Sequence, residues 1–209
     1  MTVGVVGCGS IGRAIASTMK HGFGMRVIGL TRTARGTAGE GEFQDVDELL
    51  SVAADGHAGL LRLLAGSDVV ALAMPGTAET ASVIGAAELA ALKPDAILAS
   101  VGRGTAIDEA ALAAVLAAPA RAELGELRGV CAALDVFATE PLPLDHPFWD
   151  APADRLLVSP HTMDQQGAHW EATASAWAEN VRIFARARGD VSAALNAGLG
   201  PAVDLETGY

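Results

Sequence analysis

The sequence is short of several residue types, and each shortage excludes a class of protein. Only two cysteines, Cys8 and Cys131, occur in 209 residues, and their wide separation excludes a disulfide framework or a cysteine-based metal cluster. This cysteine usage fits a reducing cytoplasm, which is the expected location. The longest apolar stretch, Ala110–Ala120, is too short to cross a bilayer, and the N-terminus lacks the features of a signal peptide.

Basic residues are also scarce. The chain has 14 lysines and arginines against 25 acidic residues, a formal net charge of −11. Non-specific binding to nucleic acid or to an anionic membrane needs basic patches, so neither partner is expected. The hydrophobic share of 51% predicts a packed globule. We expect one domain over residues 1–190, followed by a Gly-rich, polar C-terminal tail over residues 191–209.

Short apolar runs alternate with longer segments whose apolar residues recur at helical spacing. The runs lack strict alternation and predict strands buried on both faces: Val3–Val6, Arg26–Leu30, Asp68–Ala73, Ala96–Ser100, Val130–Val136 and Leu156–Ser159. The longer segments predict helices: Ile11–Gly22, Val46–Leu64 with a break at Asp55-Gly56, Ala78–Ala91, Asp108–Leu116 and a long final helix, Asp164–Arg188. This order predicts an α/β fold with a doubly wound parallel sheet in three layers, α/β/α.

The first predicted strand is followed by a glycine-rich segment, Gly7-x-Gly9-x-x-Gly12, that opens the first helix. This is the context of the dinucleotide-binding loop of a Rossmann fold. Gly7 permits the tight turn, Gly9 lets the backbone approach a pyrophosphate, and Gly12 lets helix and strand pack closely. Ser10 and Ile11 begin the helix, whose dipole attracts the anion. The alternative is a glycine-rich turn without a ligand.

The end of the second strand favours NADP over NAD. An acidic residue about 20 positions after the glycine loop normally holds the ribose of NAD. Here Thr31, Arg32, Thr33 and Arg35 occupy that region, and no carboxylate follows until Glu40. A guanidinium and hydroxyls bind a 2′-phosphate that a carboxylate would repel. The cofactor is therefore expected to be NADP or NAD, with NADP favoured; alternatively, the arginines are solvated and Thr31 alone holds NAD.

Three polar residues that suit proton transfer and anion binding follow later strands. Arg103, Glu140 and His161 come after the fourth, fifth and sixth predicted strands, whose carboxyl ends meet at one edge of a parallel sheet. His161 is expected to deliver a proton, Glu140 to fix its tautomer, and Arg103 to bind a carboxylate and polarise a carbonyl. The alternative for each is a surface or structural role, which is also expected for the other four histidines: His21, His57, His146 and His169. No metal site is expected.

Five segments together resemble the nucleotide-binding domain of the D-isomer-specific 2-hydroxyacid dehydrogenases. They cover most of residues 3–190 and read VGVVGCGSIGRAIA, GMRVIGLTRT, SDVVALAMPGTAETASVIGAAELAALKPDAILASVGRGTAIDEAAL, AALDVFATEPLPLDHPFWD and LLVSPH. The resemblance implies an NAD(P)-dependent oxidoreductase that reduces a 2-oxo acid reversibly, with Arg103 orienting the substrate, Glu140 as carboxylate partner and His161 as acid/base. It also implies a homodimer, and further cofactor contacts at Met74, Pro75, Thr80, Val101, Gly102 and Asp135.

The sequence also departs from that family. Members have a substrate lobe before the glycine loop, whereas Met1 here lies one residue before the first strand. Because a closed cleft supplies much of the rate in such enzymes, cofactor binding is expected to survive more readily than turnover. A non-catalytic NAD(P)-binding module, or a truncated remnant of such an enzyme, is therefore the alternative function.

Overall fold

The computed structural model describes residues 1–33, 35–118, 129–163 and 169–198. The chain divides into two compact units, Met1–His161 and Thr162–Tyr209. The domain boundary expected after residue 190 stays a prediction.

The first unit alternates strands and helices along the chain. Its strands are β1 (Thr2–Val6), β2 (Arg26–Thr31), β3 (Glu48–Ser51), β4 (Val69–Leu72), β5 (Ile97–Ser100), β6 (Cys131–Leu134) and β7 (Leu156–Val158). Its helices are α1 (Ser10–Phe23), α2 (Val52–Gly66), α3 (Ala86–Ala91) and α4 (Glu109–Ala117), with 3₁₀ turns at Gly41–Phe43, Gly104–Ala106 and Pro147–Asp150. All six predicted strands are present, which confirms that part of the prediction.

The strands form one parallel sheet in the order β3-β2-β1-β4-β5-β6-β7. The order reverses between β1 and β4, so the crevice beyond their carboxyl ends is where a ligand binds in a doubly wound fold. The predicted Rossmann-like α/β architecture is confirmed.

Alternating side chains of β1 and β2 enter two separate hydrophobic clusters. Val3 and Val5 of β1 pack in the cluster that includes Ala16 of α1. Val6 and Leu30 point to the opposite face, in the larger cluster that contains residues of α2, α3 and α4. Because successive side chains of a strand point to opposite faces, burial of both sets places helices on both sides of the β1–β2 region.

The predicted helix Val46–Leu64 is wrong in its first third, which forms β3. Leu49 and Leu50 favour a helix by their spacing, but β3 pairs with the edge of β2 from Ile28↔Glu48 to Thr31↔Ser51. Tertiary pairing therefore overrides the local pattern. Ser51 then caps α2, and the predicted break is confirmed because Gly56 has φ +60 inside that helix.

The predicted helix Ala78–Ala91 is shorter than expected, since α3 begins only at Ala86. Ile84 instead forms a parallel bridge with Ile107, in which its N–H donates to the Ala106 carbonyl at 3.0 Å. Gly85 caps α3, and its N–H donates to the Glu88 carboxylate at 2.9 Å. The segment before Gly85 is therefore a loop along the carboxyl edge of the sheet.

Arg155, just before β7, is a buried cation that binds backbone rather than a carboxylate. It is 8% exposed, and its guanidinium donates to the carbonyls of Val130, Val115 and Ala118. Two of these carbonyls belong to the last turn of α4, where a positive charge complements the helix dipole. Arg155 thereby connects α4 with the β6–β7 edge.

The second unit contains α5 (His169–Arg186) and α6 (Val191–Asn196). The predicted long final helix is confirmed over the range of α5, while residues 164–168 lie outside the described part of the chain. The beginning of the expected tail is helical, since Asp190 caps α6 by accepting the Ala193 N–H at 3.0 Å. Among the described residues, no helix is both long and apolar enough to cross a membrane.

Candidate active site

The glycine loop joins β1 to α1 by close backbone contacts. Gly7 has φ +95, a conformation that side-chain-bearing residues rarely adopt. A Cβ on Gly12 would lie 2.1 Å from the Gly7 carbonyl oxygen, so only glycine lets α1 approach this closely. At Gly9, by contrast, an added Cβ meets no atom within 4 Å. The backbone at Gly9 therefore borders open space, as a pyrophosphate cradle requires.

The first turn of α1 is arranged for an anion. Its N-cap is Gly9, which offers no capping side chain, and the first turn contains no acidic residue. Ser10 and Ile11 are exposed beside it. Uncapped N–H groups and the helix dipole together favour a negative ligand at this position.

The side chains after β2 differ in how available they are to a ligand. Thr31 is 5% exposed, and its hydroxyl lies 2.9 Å from the Thr33 carbonyl oxygen and 3.2 Å from that of Leu50. Arg32 is half exposed and lies 3.5 Å from the Glu79 carboxylate. The Thr31 hydroxyl is therefore engaged within the fold, whereas the Arg32 side chain is half exposed beside Glu79.

A cavity of about 460 Å³ lies at the carboxyl ends of β2 and β3. Arg35 lines it, with its guanidinium 3.5 Å from the Cys8 carbonyl oxygen and 5.8 Å from the Phe43 ring centre. Its walls also include Thr37 and Asp55. Arg35 thus connects this cavity with the glycine loop. The sequence pointed to Arg35 by its charge but gave no sign of Thr37.

Arg103 stands between two glycines that allow its loop to pack against the loops on either side. A Cβ on Gly102 would lie 2.4 Å from the Met74 carbonyl oxygen, and one on Gly104 would lie 1.9 Å from the Phe137 carbonyl carbon. The loops after β4, β5 and β6 are therefore in backbone contact. The Arg103 guanidinium donates to the Gly102 carbonyl at 2.8 Å. The contact of Gly104 with Phe137 was not expected from sequence, because the two residues are distant along the chain.

Glu140 and His161 form a hydrogen-bonded pair across the ends of β6 and β7. The Nδ1–H of His161 donates to Glu140 Oε2 at 2.8 Å, and Oε1 of the same carboxylate accepts the Phe137 N–H at 2.9 Å. His161 has φ +53, an uncommon conformation for a residue with a side chain and one that recurs at active sites. The bond at Nδ1 leaves Nε2 to face a ligand.

Each partner shifts the titration of the other. The hydrogen bond to Glu140 raises the pKa of His161 above its ordinary 6.5, and the charge of Asp135 adds to this while that of Arg103 opposes it. The hydrogen bond from His161, followed by that from the Phe137 N–H, lowers the pKa of Glu140 below its ordinary 4.5. The pairing thereby favours the protonated, proton-donating form of the imidazole.

The pair borders an apolar cavity of about 520 Å³. Leu142, Trp149 and Val158 contribute to its walls together with Glu140 and His161. Apolar walls beside a few polar groups are typical of a site for a small organic ligand.

The remaining predicted residues have contacts of their own. Asp135 is 3% exposed and accepts a hydrogen bond from the Ser159 hydroxyl. Thr80 supports its own loop, since its hydroxyl donates to the Pro75 carbonyl at 2.7 Å and accepts the Thr77 N–H at 2.9 Å. Val101 continues the β5 edge, donating its N–H to the Leu72 carbonyl at 3.1 Å. Among the described residues, no group of three His, Cys, Asp or Glu side chains suits a metal ion.

Comparison with known proteins identifies the family. Residues 1–162 match the model for "D-isomer specific 2-hydroxyacid dehydrogenase, NAD binding domain". The chain belongs to this family.

Its relatives include the glyoxylate/hydroxypyruvate reductase B of Pectobacterium carotovorum subsp. carotovorum, with 38% identity over 77% of this chain and 43% of that protein. The glyoxylate reductase of Thermococcus gammatolerans is 34% identical over 88% of this chain and 48% of its own length. A solved family member from Xanthobacter autotrophicus Py2, in complex with NADPH and MES, has a TM-score of 0.61 and 35% identity, covering 77% of this chain and 44% of that one. The chain thus spans about half the length of the relatives it matches.

Membership in the 2-hydroxyacid dehydrogenase family accounts for the position of the site. The matched range contains the glycine loop as well as Arg103, Glu140 and His161. The NAD-binding domain therefore holds both the candidate cofactor cradle and all three residues expected to carry the chemistry, although their individual roles stay predictions.

Proposed function

We propose that this chain binds a reduced nicotinamide dinucleotide and carries the proton-transfer residues of a 2-oxo acid reductase. The observation that carries the proposal is the 2.8 Å bond between His161 Nδ1 and Glu140 Oε2, at the same sheet edge as the glycine loop. A degenerate module with no catalytic role gives no reason to keep this pair. The non-catalytic alternative is therefore not favoured.

The residues present fit the dinucleotide. The open space at Gly9 and the uncapped start of α1 suit a pyrophosphate, and the contact of Gly12 with Gly7 keeps that cradle rigid. Met74, Gly102 and Asp135 lie along the edge between this cradle and His161 and would border the nicotinamide. When bound, the reduced nicotinamide supplies the hydride that converts the carbonyl carbon of a 2-oxo acid to the alcohol carbon.

The protein's own residues handle charge and the proton. His161 donates the proton on Nε2 to the carbonyl oxygen as that oxygen gains negative charge. Glu140 keeps Nδ1 protonated and stabilises the imidazolium before transfer. Arg103 binds the substrate carboxylate and orients the carbonyl toward His161. In the reverse direction, neutral His161 accepts the proton of the hydroxy acid.

NADP is the favoured cofactor in this proposal. Arg32 and the cavity-lining Arg35 bring two positive charges to the segment after β2, which suits a 2′-phosphate, and the hydroxyls of Thr33 and Thr37 lie in the same segment. Asp55 opposes this, but its carboxylate already accepts the Ser51 N–H at 2.9 Å. The relative from Xanthobacter autotrophicus Py2 was solved with NADPH, which supports the same choice.

Two measurements test the proposal in order. Calorimetry with NADPH and NADH should show binding of both, with the phosphorylated form tighter. The absorbance of the reduced cofactor should then fall with a panel of 2-oxo acids such as glyoxylate, hydroxypyruvate and pyruvate, assayed with the chain alone and with a family substrate lobe joined before Met1. Binding without turnover in either form would reject the catalytic proposal, and absence of binding would reject the cofactor site.

Two further expectations belong to the same proposal. A homodimer follows from the family resemblance, and sedimentation velocity checks it. A cytoplasmic location is consistent with Cys8 and Cys131, which are both free. Fractionation of cells that express the chain tests this location.

A further inference from the structure

A second carboxylate–imidazole pair contacts the loop that carries Glu140. Oε2 of Glu109, the first residue of α4, lies 3.3 Å from Nε2 of His146. These side chains are only 15% and 16% exposed, compared with 36% and 43% for Glu140 and His161. Burying two polar side chains is costly unless their hydrogen bonds are satisfied, so their contacts are informative.

The contacts of His146 fix its tautomer. Its Nδ1 accepts the Phe148 N–H at 3.3 Å, so the proton of the neutral ring is on Nε2, the nitrogen that lies 3.3 Å from Glu109 Oε2. The Phe148 ring packs on the imidazole with 4.5 Å between ring centres and on Phe137 with 6.4 Å. His146 is therefore held in one orientation within the fold.

The other carboxylate oxygen of Glu109 contacts the loop that carries Glu140. Oε1 accepts the Ala138 N–H at 2.8 Å, while the neighbouring Phe137 N–H donates to Glu140 at 2.9 Å. Two successive amides thus bind two different carboxylates, one from α4 and one from the loop itself. The Phe137–Ala138 backbone is fixed between Glu109 and Glu140.

We propose that Glu109 and His146 are positioning residues, which hold the loop around Phe137 and Ala138 and so keep Glu140 within hydrogen-bond distance of His161. This inference rests on the proposed role of the Glu140–His161 pair. Neither positioning residue touches the reacting atoms. They act by limiting the conformations of the loop, so that the carboxylate is in place before substrate binds.

The pH at the midpoint of the His161 titration, measured in the full-length chain, reports this positioning and requires no enzymatic turnover. NMR of histidine-labelled protein follows each of the five imidazoles with pH, and loss of one signal in His161→Asn assigns it. The charged groups facing His161 are Glu140, Asp135 and Arg103. None of the positioning variants below changes them, so a change in the midpoint reports the distance between Glu140 and the ring.

Two variants break the pair in different ways. Glu109→Gln can still accept the Ala138 N–H, but its amide group then faces the Nε2–H of His146, donor against donor. His146→Phe keeps a ring beside Phe148 but removes the hydrogen bond at Nδ1 and the polar contact of Nε2 with Glu109. In each, the loop loosens, and the His161 midpoint is expected to fall toward its ordinary value. His146→Gln retains a donor toward Glu109 and should titrate as the wild type does.

The chain offers a matched control in a third pair. His57 and Glu88 lie 2.6 Å apart on α2 and α3, and Glu88 also accepts a backbone N–H, from Gly85. Glu88→Gln should leave the His161 midpoint unchanged, because that pair does not contact the Glu140 loop.

Unchanged His161 titration in folded Glu109→Gln overturns the proposal, as does an equal shift in the Glu88→Gln control. If His146→Phe fails to fold, the test rests on the His161 midpoint of Glu109→Gln. The midpoint of His146→Gln, which is expected to match the wild type, is then compared with that of Glu109→Gln. Glu140→Gln separates this inference from the proposed function: if that variant also leaves the His161 midpoint unchanged, the pairing itself is at fault rather than its positioning.

Discussion

The two halves of the sheet's carboxyl edge are built for ligands by different means. On the β1–β2 side, recognition falls to backbone: an open glycine, an uncapped helix and a close contact between Gly12 and Gly7. On the β5–β7 side, the candidate residues are charged side chains, and their positions depend on loops that pack against one another, as Gly104 does on Phe137. The first half can be recognised from the spacing of a few neighbouring residues. The second depends on contacts between residues far apart in sequence.

On the β1–β2 side, the substitution with the largest expected effect is Gly12→Ala. Because the new Cβ would lie 2.1 Å from the Gly7 carbonyl oxygen, α1 must move, and we expect a loss of about 2–4 kcal/mol in the free energy of unfolding. Gly9→Ala has no atom to meet within 4 Å and should unfold like the wild type, yet bind the dinucleotide more weakly. Urea denaturation and calorimetry measure the two effects. Equal dinucleotide affinity in Gly9→Ala would contradict the cradle.

On the β5–β7 side, the largest expected effect is on the rate of 2-oxo acid reduction. His161→Asn suits the positive φ of this residue and removes the proton donor, so 2-oxo acid reduction should slow by about 10²–10⁴-fold with dinucleotide affinity unchanged. Steady-state assays of the lobe-joined form measure the rate, and calorimetry the affinity. Glu88→Gln serves as the control. A His161→Asn protein of undiminished rate would move the chemistry elsewhere.

Arg32→Asp tests whether a side chain on the β1–β2 side also contributes to the choice between NADPH and NADH. Replacing a charge-assisted contact by repulsion should shift the ratio of the NADPH and NADH dissociation constants by about tenfold or more toward NADH. Arg62→Asp, on α2 and paired with Glu48, is the control and should leave that ratio unchanged. If Arg32→Asp keeps the wild-type ratio, the choice of NADP loses its basis.

The smallest effect concerns the stability of the Glu140–His161 pair with pH. The pKa of His161 is raised in the folded state, so its contribution to the free energy of unfolding is complete below pH 6.5 and is lost as pH rises through the folded-state pKa. The pKa of Glu140 is lowered in the folded state, so its contribution is complete above pH 4.5 and is lost as pH falls through the folded-state pKa. The difference in unfolding free energy between wild type and His161→Asn should therefore peak between these pH values. Because the pair is partly exposed, we expect at most about 1 kcal/mol. A difference that is flat with pH would contradict the pairing in solution.

The sequence predicts the β1–α1–β2 region well because its signals are local. The spacing of Gly7, Gly9 and Gly12 and the apolar run before them specify strand, turn and helix without distant contacts. β3 was missed since Leu49 and Leu50 follow a helical pattern and become a strand only by pairing with β2. An edge strand of this kind is decided by its neighbour.

In the candidate site, the sequence indicated the residues suited to proton transfer but not the residues that hold them in position. Glu140 and His161 were singled out by their position after strands, and the structure brings them together. Glu109 and His146 carried no signal, because a helix-opening glutamate and a histidine before proline are ordinary surface residues until a fold buries them. The contacts of Thr80 with its own loop were equally invisible, and its expected contact with the cofactor stays a prediction.

Arg155 gives the two halves of the sheet unequal sensitivity to solution conditions. Around β1–β3 the links between elements include exposed ion pairs, such as Lys20–Asp47 and Arg26–Glu48, which salt screens and acid neutralises. The buried guanidinium of Arg155 binds carbonyl dipoles, which do not titrate and are poorly reached by counterions. At low pH or in concentrated salt the β1–β3 side of the sheet should consequently unfold locally first, while the contacts of Arg155 between α4 and the β6–β7 edge persist.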